Sequence, residues 1–232
     1  MADITSNIVN YLAGFLFVIP ALTLHEWAHA YMANRLGDPT PRMLGRLSLN
    51  PLKHIDPFGT VLMPIALLVF SGGQFTFGYA KPVQVNPRYF KDSRHGMLLV
   101  GIAGPLMNIV LALISGLLVR LLLLAPGIPP AMHDFFNWLL LIIVRFCIIN
   151  LVLSFFNLLP IPPFDGSRVV QKYLKGEARR WYAQLERYGM YIILVLVWGV
   201  PMLFGFDLVG IYLRYTAYLA LSILTGLPWT PM

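Results

Sequence analysis

Charge is what this sequence has least of. Only 12% of its 232 residues are Asp, Glu, Lys or Arg, while 58% are hydrophobic; a typical soluble domain carries about 25% charged residues. With a mean hydropathy of +0.70, this excludes an ordinary water-exposed globular surface and reads as a polytopic membrane protein. Cysteine is nearly absent. Cys147 stands alone, so no intrachain disulfide can form and cysteine usage does not report the redox compartment. The first seven residues contain no Lys or Arg, so the basic start of a cleavable signal peptide is missing and the first apolar segment is expected to be retained. Long polar stretches are lacking too. The longest connections, 37–57, 72–96 and 161–187, are too short for an independent soluble domain, and no internal repeat is found. A single integral membrane domain over 1–232 is expected.

The charge that is present is basic, with a net charge of +7 and a pI of about 9.7. The Lys and Arg residues sit in short loops between apolar segments, where orientation signals and headgroup contacts put them. There is no basic stripe with interleaved aromatics, so nucleic-acid binding is excluded.

A spanning helix needs about 20 mostly apolar residues. Candidates are 8–36, 97–124, 135–159, 188–204 and 208–224. Segment 58–70 is apolar but short and contains Pro64. Residues 74–86 (QFTFGYAKPVQVN) alternate in part and are rich in β-branched and aromatic types, which predicts a short strand pair, with an irregular loop as the alternative. The expected fold is therefore all-α and polytopic, with about five to six transmembrane helices, a re-entrant segment and a small membrane-level β element.

Loop charges predict the orientation. Arg35, Arg42, Arg46 and Lys53 crowd the first loop. Lys81, Arg88, Lys91 and Arg94 crowd the second, and Arg168, Lys172, Lys175, Arg179, Arg180 and Arg187 the third. The N-terminal tail and the 125–134 loop have none. The positive-inside rule puts all three basic loops on the cytoplasmic side. Two of them flank 58–70, so that segment enters and leaves on one face.

The sharpest motif is His25-Glu26-Trp27-Ala28-His29. On a helix, residues four apart differ by about 40° around the axis, so both imidazoles can address one metal ion. Glu26 lies on a neighbouring face, able to reach a metal-associated water without being a ligand. A charged side chain at mid-membrane costs roughly 2.5–3.5 kcal/mol, and a metal ion is what offsets two His and one Glu inside an apolar segment. A catalytic zinc takes three protein ligands and keeps one position for water. The third candidate is Asp165 in Asn157-Leu-Leu-Pro-Ile-Pro-Pro-Phe-Asp165-Gly166. The prolines end the preceding helix and are expected to hold the chain extended, and Gly166 permits an unusual backbone angle beside the carboxylate. Capping of a following helix is the alternative role for Asp165. In 97–124, Gly101, Gly104, Asn108 and Ser115 recur at helical spacing. The glycines read as close packing. Asn108 is an amide that needs partners in a membrane and is a candidate to orient Glu26 or to donate to a developing oxyanion. His54, His95 and His133 fall in loops and read as exposed residues, not ligands. Arg145, inside the fourth span, matches no motif.

HEWAH together with NLLPIPPFDG resembles the site-2 protease family of intramembrane zinc metalloproteases. GRLSLNPLKHIDPFGT at 45–60, YAKPVQVNP at 79–87 and GIAGPLMN at 101–108 resemble its short bacterial-type branch, without a PDZ or CBS domain. The likeness covers roughly 10–170. It implies one Zn2+ per chain on His25, His29 and Asp165, Glu26 as base, Asn108 near the active site and Asn157 in the extended motif. The catalytic core would then be about 8–170 and the C-terminal helices about 188–226. The expected activity is a zinc metalloendopeptidase that cleaves the transmembrane segment of a single-pass protein in the bilayer, in a bacterial-type plasma membrane with the site toward the cytoplasm. A zinc-binding membrane transporter and a non-catalytic relative that binds membrane proteins are the alternatives.

Overall fold

The computed structural model describes residues 2–70, 78–125 and 129–228. The chain forms two compact units, Met1–Gly96 and Met97–Met232.

The first unit is built on α1, Ala2–Arg35. At 1.5 Å per residue, its 34 residues extend about 51 Å, more than the ~30 Å hydrocarbon core of a bilayer. It stops at Gly37, whose left-handed φ of 104° turns the chain and which a side chain would strain. A single turn, Thr40–Met43, follows. The next helix opens at Pro57 as a π-wound turn, Pro57–Leu62, and continues as α2, Met63–Phe70. Asp56 starts it by accepting from the N–H groups of Phe58 (3.0 Å) and Gly59 (2.7 Å), as an N-cap carboxylate should.

The re-entrant expectation for 58–70 has a concrete basis here. Residues 79 and 81 lie beside the start of that helix. Tyr79 N–H donates to Gly59 O at 3.0 Å and Lys81 N–H to His54 O at 2.9 Å, and the Thr60 hydroxyl donates to Tyr79 O at 2.8 Å. The contact is close enough that a Cβ on Gly59 would run into the Tyr79 ring. Residues 54 and 81 are thus hydrogen-bonded to each other, and the excursion between them begins and ends at one level.

The strand pair expected at 74–86 differs. Residues 74–77 lie outside the described residues, and among the described residues no strand forms. The 78–86 segment is nevertheless strand-like in period. The N–H groups of 79, 81 and 83 all turn to the protein, the two-residue repeat of an extended chain, but their acceptors are loop carbonyls and a side chain, not a ladder.

Among the described residues, four helices are long and apolar enough to cross a membrane. They are α3 (Ser93–Leu123), α4 (His133–Asn157, preceded by a turn from Pro130), α6 (Gly176–Phe204) and α7 (Leu208–Thr225). A short helix, α5 (Gly166–Tyr173), stands between α4 and α6. Leu117, Leu121, Trp138, Met202 and Leu203 are all more than half exposed. Such a surface suits hydrocarbon, since soluble monomers rarely expose large apolar patches. The expected span at 188–204 proves to be the apolar end of a helix that starts at Gly176; hydropathy sees only the lipid-compatible part, whereas charged Arg and Glu are good helix formers.

Helices α3, α4 and α7 meet around Ala112, Cys147, Leu151 and Ala217. Small residues allow this close approach, as is usual in membranes; a Cβ on Gly116 would come within 2.7 Å of Leu224 Cβ. Polar groups add to it. Cys147 donates its thiol to Ala112 O (3.3 Å), Ser154 its hydroxyl to Pro105 O (3.0 Å) and Tyr212 its hydroxyl to Phe155 O (3.2 Å). Arg120 closes the end of α7 by donating to Leu224 O (2.7 Å) and Ile223 O (2.5 Å).

Because residues 54 and 81 are joined, Leu49→Cys and Ser93→Cys, each in a Cys147→Ser background, will react with a membrane-impermeant thiol reagent from the same side of the bilayer. Reaction from opposite sides would remove the re-entrant arrangement.

Candidate metal centre

His25 and His29 lie one turn apart in the last third of α1, both at least nine-tenths buried. Their Nε2 atoms are 3.0 Å apart, and the rings stand nearly perpendicular, at 84°. Two ligands of a tetrahedral zinc at about 2.05 Å would be about 3.3 Å apart. The pair therefore holds its donor atoms at close to the spacing a zinc ion requires, and two imidazole nitrogens with a carboxylate are a donor set zinc accepts.

Glu26, one residue on from His25, is rotated by about 100° and takes a different partner. It is half-buried, and its carboxylate accepts the N–H of Val83 at 3.2 Å. Val83 belongs to the extended 78–86 segment, which several buried side chains pin. Arg46 donates to Lys53 O, and to Lys81 O and Pro82 O at 3.0 Å each. Asp38, fully buried, accepts from Asn86 N–H at 2.7 Å and from Thr40 N–H at 2.9 Å.

In the second unit, Asp165 is 9% exposed and precedes α5. Its side chain makes no capping hydrogen bond to that helix, so the capping alternative fails. Arg168 approaches it at 3.9 Å, one turn along. Two expectations about its setting are corrected. The residues from Leu158 to Asp165 do not run extended but fold as consecutive turns, closed by Phe164 N–H to Ile161 O and Ser167 N–H to Phe164 O, both 3.0 Å. The cis bond between Pro162 and Pro163 lies within them. Gly166 has no positive φ; it is needed for space, because a Cβ there would strike the carbonyl oxygens of Leu158 and Leu159. The turn is wedged by Phe156 against Phe164, with ring centroids 4.5 Å apart, and by Tyr182, whose hydroxyl donates to Pro160 O at 2.6 Å. Gly101 on α3 gives it room, since a Cβ would stand 3.2 Å from Asp165 O and 2.9 Å from Arg168 Cδ.

Asn108 is fully buried and donates Nδ2–H to Asn150 Oδ1 at 2.8 Å; Asn150 in turn donates to Phe146 O at 2.8 Å. The amide partner is thus on α4, a residue that sequence reasoning passed over although an Asn in an apolar span is itself a signal. Asn157 bonds back along its own helix, to Leu153 O at 2.9 Å. His95 and His133 are exposed, as expected. His54 is not: it is 2% exposed and paired through Nε2 with Ser48 O at 2.7 Å. That carbonyl only accepts, so Nε2 carries the proton, and Nδ1 is buried without a partner among the described residues. Arg145 is exposed on α4.

The packing of the Asp165 turn makes a direct forecast. Gly166→Ala adds one methyl against two backbone carbonyls that cannot rotate away, and should cost about 1–3 kcal/mol, the usual range for overpacking. Thermal unfolding of the detergent-purified variant will show this as a lower Tm; an unchanged Tm would mean the turn is loose.

The chain is similar to named proteins over most of its length. A model described as Peptidase family M50 matches residues 131–200. The candidate zinc metalloprotease YwhC of Bacillus subtilis is 41% identical over 197 residues, covering 82% of this chain and 81% of that one. The candidate zinc metalloprotease Rip2 of Mycobacterium tuberculosis is 31% identical over 218 residues, covering 90% and 77%. A third, MJ0611 of Methanocaldococcus jannaschii, is 34% identical over 113 residues, about half of each chain. No solved structure matches significantly. Identity at this level across most of both chains, on a helical membrane fold that carries HEWAH, makes the chain a member of peptidase family M50, the site-2 protease family of zinc metalloproteases.

Proposed function

We propose that the protein is an intramembrane endopeptidase acting on the transmembrane segment of single-pass membrane proteins, with one zinc per chain on His25, His29 and Asp165 and with Glu26 as general base. The observation that carries this reading is the His25–His29 pair, whose Nε2 atoms converge to 3.0 Å inside an apolar helix while Glu26 is turned aside to another partner. Two ligands and an acid–base group are thereby kept distinct by helix geometry alone. Asp165 joins them as a carboxylate that does not cap its helix and is held by a packed, proline-rich turn.

Zinc bound at this site would supply a Lewis acid for the scissile carbonyl and bring the pKa of a water toward about 7. The chain's own residues supply the proton traffic. Glu26 takes a proton from the attacking water on a carboxylate oxygen and returns it to the leaving amine, so that no free base is expelled. Asn108, its amide oriented by Asn150, is the proposed donor to the developing oxyanion. A transmembrane helix hides its peptide bonds in its own hydrogen bonds, so the substrate must unwind locally before attack. The extended 78–86 segment is the proposed surface for the unwound strand, by β-augmentation, although Pro82 has no N–H to offer. The positive-inside rule puts this site toward the cytoplasmic face. A transporter would have no need of a carboxylate beside its ligands, and a non-catalytic relative would be free to lose Glu26; this chain has all four groups.

Two measurements test the assignment. Purified protein should hold about one zinc per chain, lost in His25→Ala, His29→Ala and weakened in Asp165→Ala; full zinc affinity and activity in Asp165→Ala would remove it as third ligand. Glu26→Gln keeps the size but cannot take the proton. It should stay folded and zinc-loaded, with cleavage of a model transmembrane substrate reduced to background, and substantial turnover would take Glu26 out of the mechanism.

A further inference from the structure

Arg46 is 4% exposed and its partners are three backbone carbonyls rather than a carboxylate. Burying a guanidinium is costly unless its donors are used. Its planar fork of five N–H groups can address separate acceptors at once, which a lysine ammonium on a flexible stem does poorly. Here the fork joins the end of the 51–53 turn to the 81–82 stretch.

The acceptor Pro82 O has a consequence for the carboxylate below it. Pro82 C=O and Val83 N–H belong to one peptide unit, which is planar and rigid, with the two groups directed oppositely. Arg46 donates to one end of that plane at 3.0 Å, and the other end donates to Glu26 at 3.2 Å. The plane can neither rotate nor shift without disturbing both contacts, and the neighbouring Lys81 carbonyl is held by the same guanidinium. We infer that Arg46 is a positioning residue for Glu26, acting through the Pro82–Val83 peptide. This rests on Glu26 being the base.

Amide exchange and steady-state cleavage together test the inference. In Arg46→Met, exchange over residues 79–83 should accelerate while zinc stoichiometry stays at the wild-type value. kcat should fall on the order of ten- to a hundred-fold, as misplacement of a catalytic group by about 1 Å does, with KM changed less than about two-fold. Arg46→Lys should recover part of the loss, and it serves as the folded variant if Arg46→Met fails to fold. Val83→Pro deletes the N–H that Glu26 accepts but leaves Arg46 and Pro82 O in place. It should reproduce the kcat loss, and adding Arg46→Lys to it should cost little more. A loss of activity in step with loss of zinc, a rise in KM at constant kcat, unchanged exchange over 79–83, or full additivity of the two substitutions would each overturn the inference. The exchange measurement needs no turnover. Should Glu26→Gln prove active, the base assignment falls, while the exchange data still report whether Arg46 holds the peptide.

Discussion

A buried backbone N–H or C=O has no water to turn to, and the helices and buried turns of this chain answer that constraint. Helices satisfy it internally. Two of the stretches that leave the helix, 78–86 and 158–165, lead to Val83 and to Asp165 and find partners elsewhere. In the first unit, side chains do the work: Arg46 serves the carbonyls of 53, 81 and 82, Thr60 that of 79, and Asp38 the N–H of 86. In the second, tight turns and the Tyr182 hydroxyl do it. These contacts tie the irregular backbone to its surroundings at particular groups.

Such ties matter to the histidine helix. Successive residues on α1 point about 100° apart, so Glu26, placed between His25 and His29, cannot share their direction. Left alone, its carboxylate would sample several rotamers at the edge of an apolar helix. The Val83 N–H gives it a fixed acceptor role, and the fixing is as good as the placement of Val83, which itself is 8% exposed. Glu26 is thus turned away from His25 and His29 by helix geometry and held by a neighbouring peptide, with the divergence written into residues 25–29 of one helix.

Much of this was legible beforehand. The apolar spans, the helical HEWAH face and the re-entrant character of 58–70 follow from periodicity and loop charge, which are local or additive signals. Most of the misses depend on what another segment does; one, the start of the 188–204 span, is local. His54 looks like a loop residue until the chain returns to cover it. The 188–204 span begins at Gly176 because helix propensity continues where hydropathy stops. Gly166 was read for its backbone freedom, but its neighbours' carbonyls are what forbid a side chain there. Asn150 could have been suspected from its apolar surroundings, yet its partner Asn108 lies 42 positions away.

The stretches 45–60 and 79–87 show how such non-local needs are encoded. Taken singly, their polar residues look like loop filler. In the fold each has a backbone group to satisfy: Asn50 caps the turn at 51–53, Asp56 caps the helix at 57, His54 takes Ser48 O, and Arg46 reaches across to 81 and 82. A loop in water could lose most of these contacts at little cost, since solvent would replace them. Where the contact is buried, each loss strands a carbonyl or an N–H, at a cost of about 1–3 kcal/mol for one unsatisfied group. Buried polar residues such as Arg46 and Asp38 therefore hold the backbone beside the HEWAH helix, and their value is set by how far burial shuts out the water that would replace them.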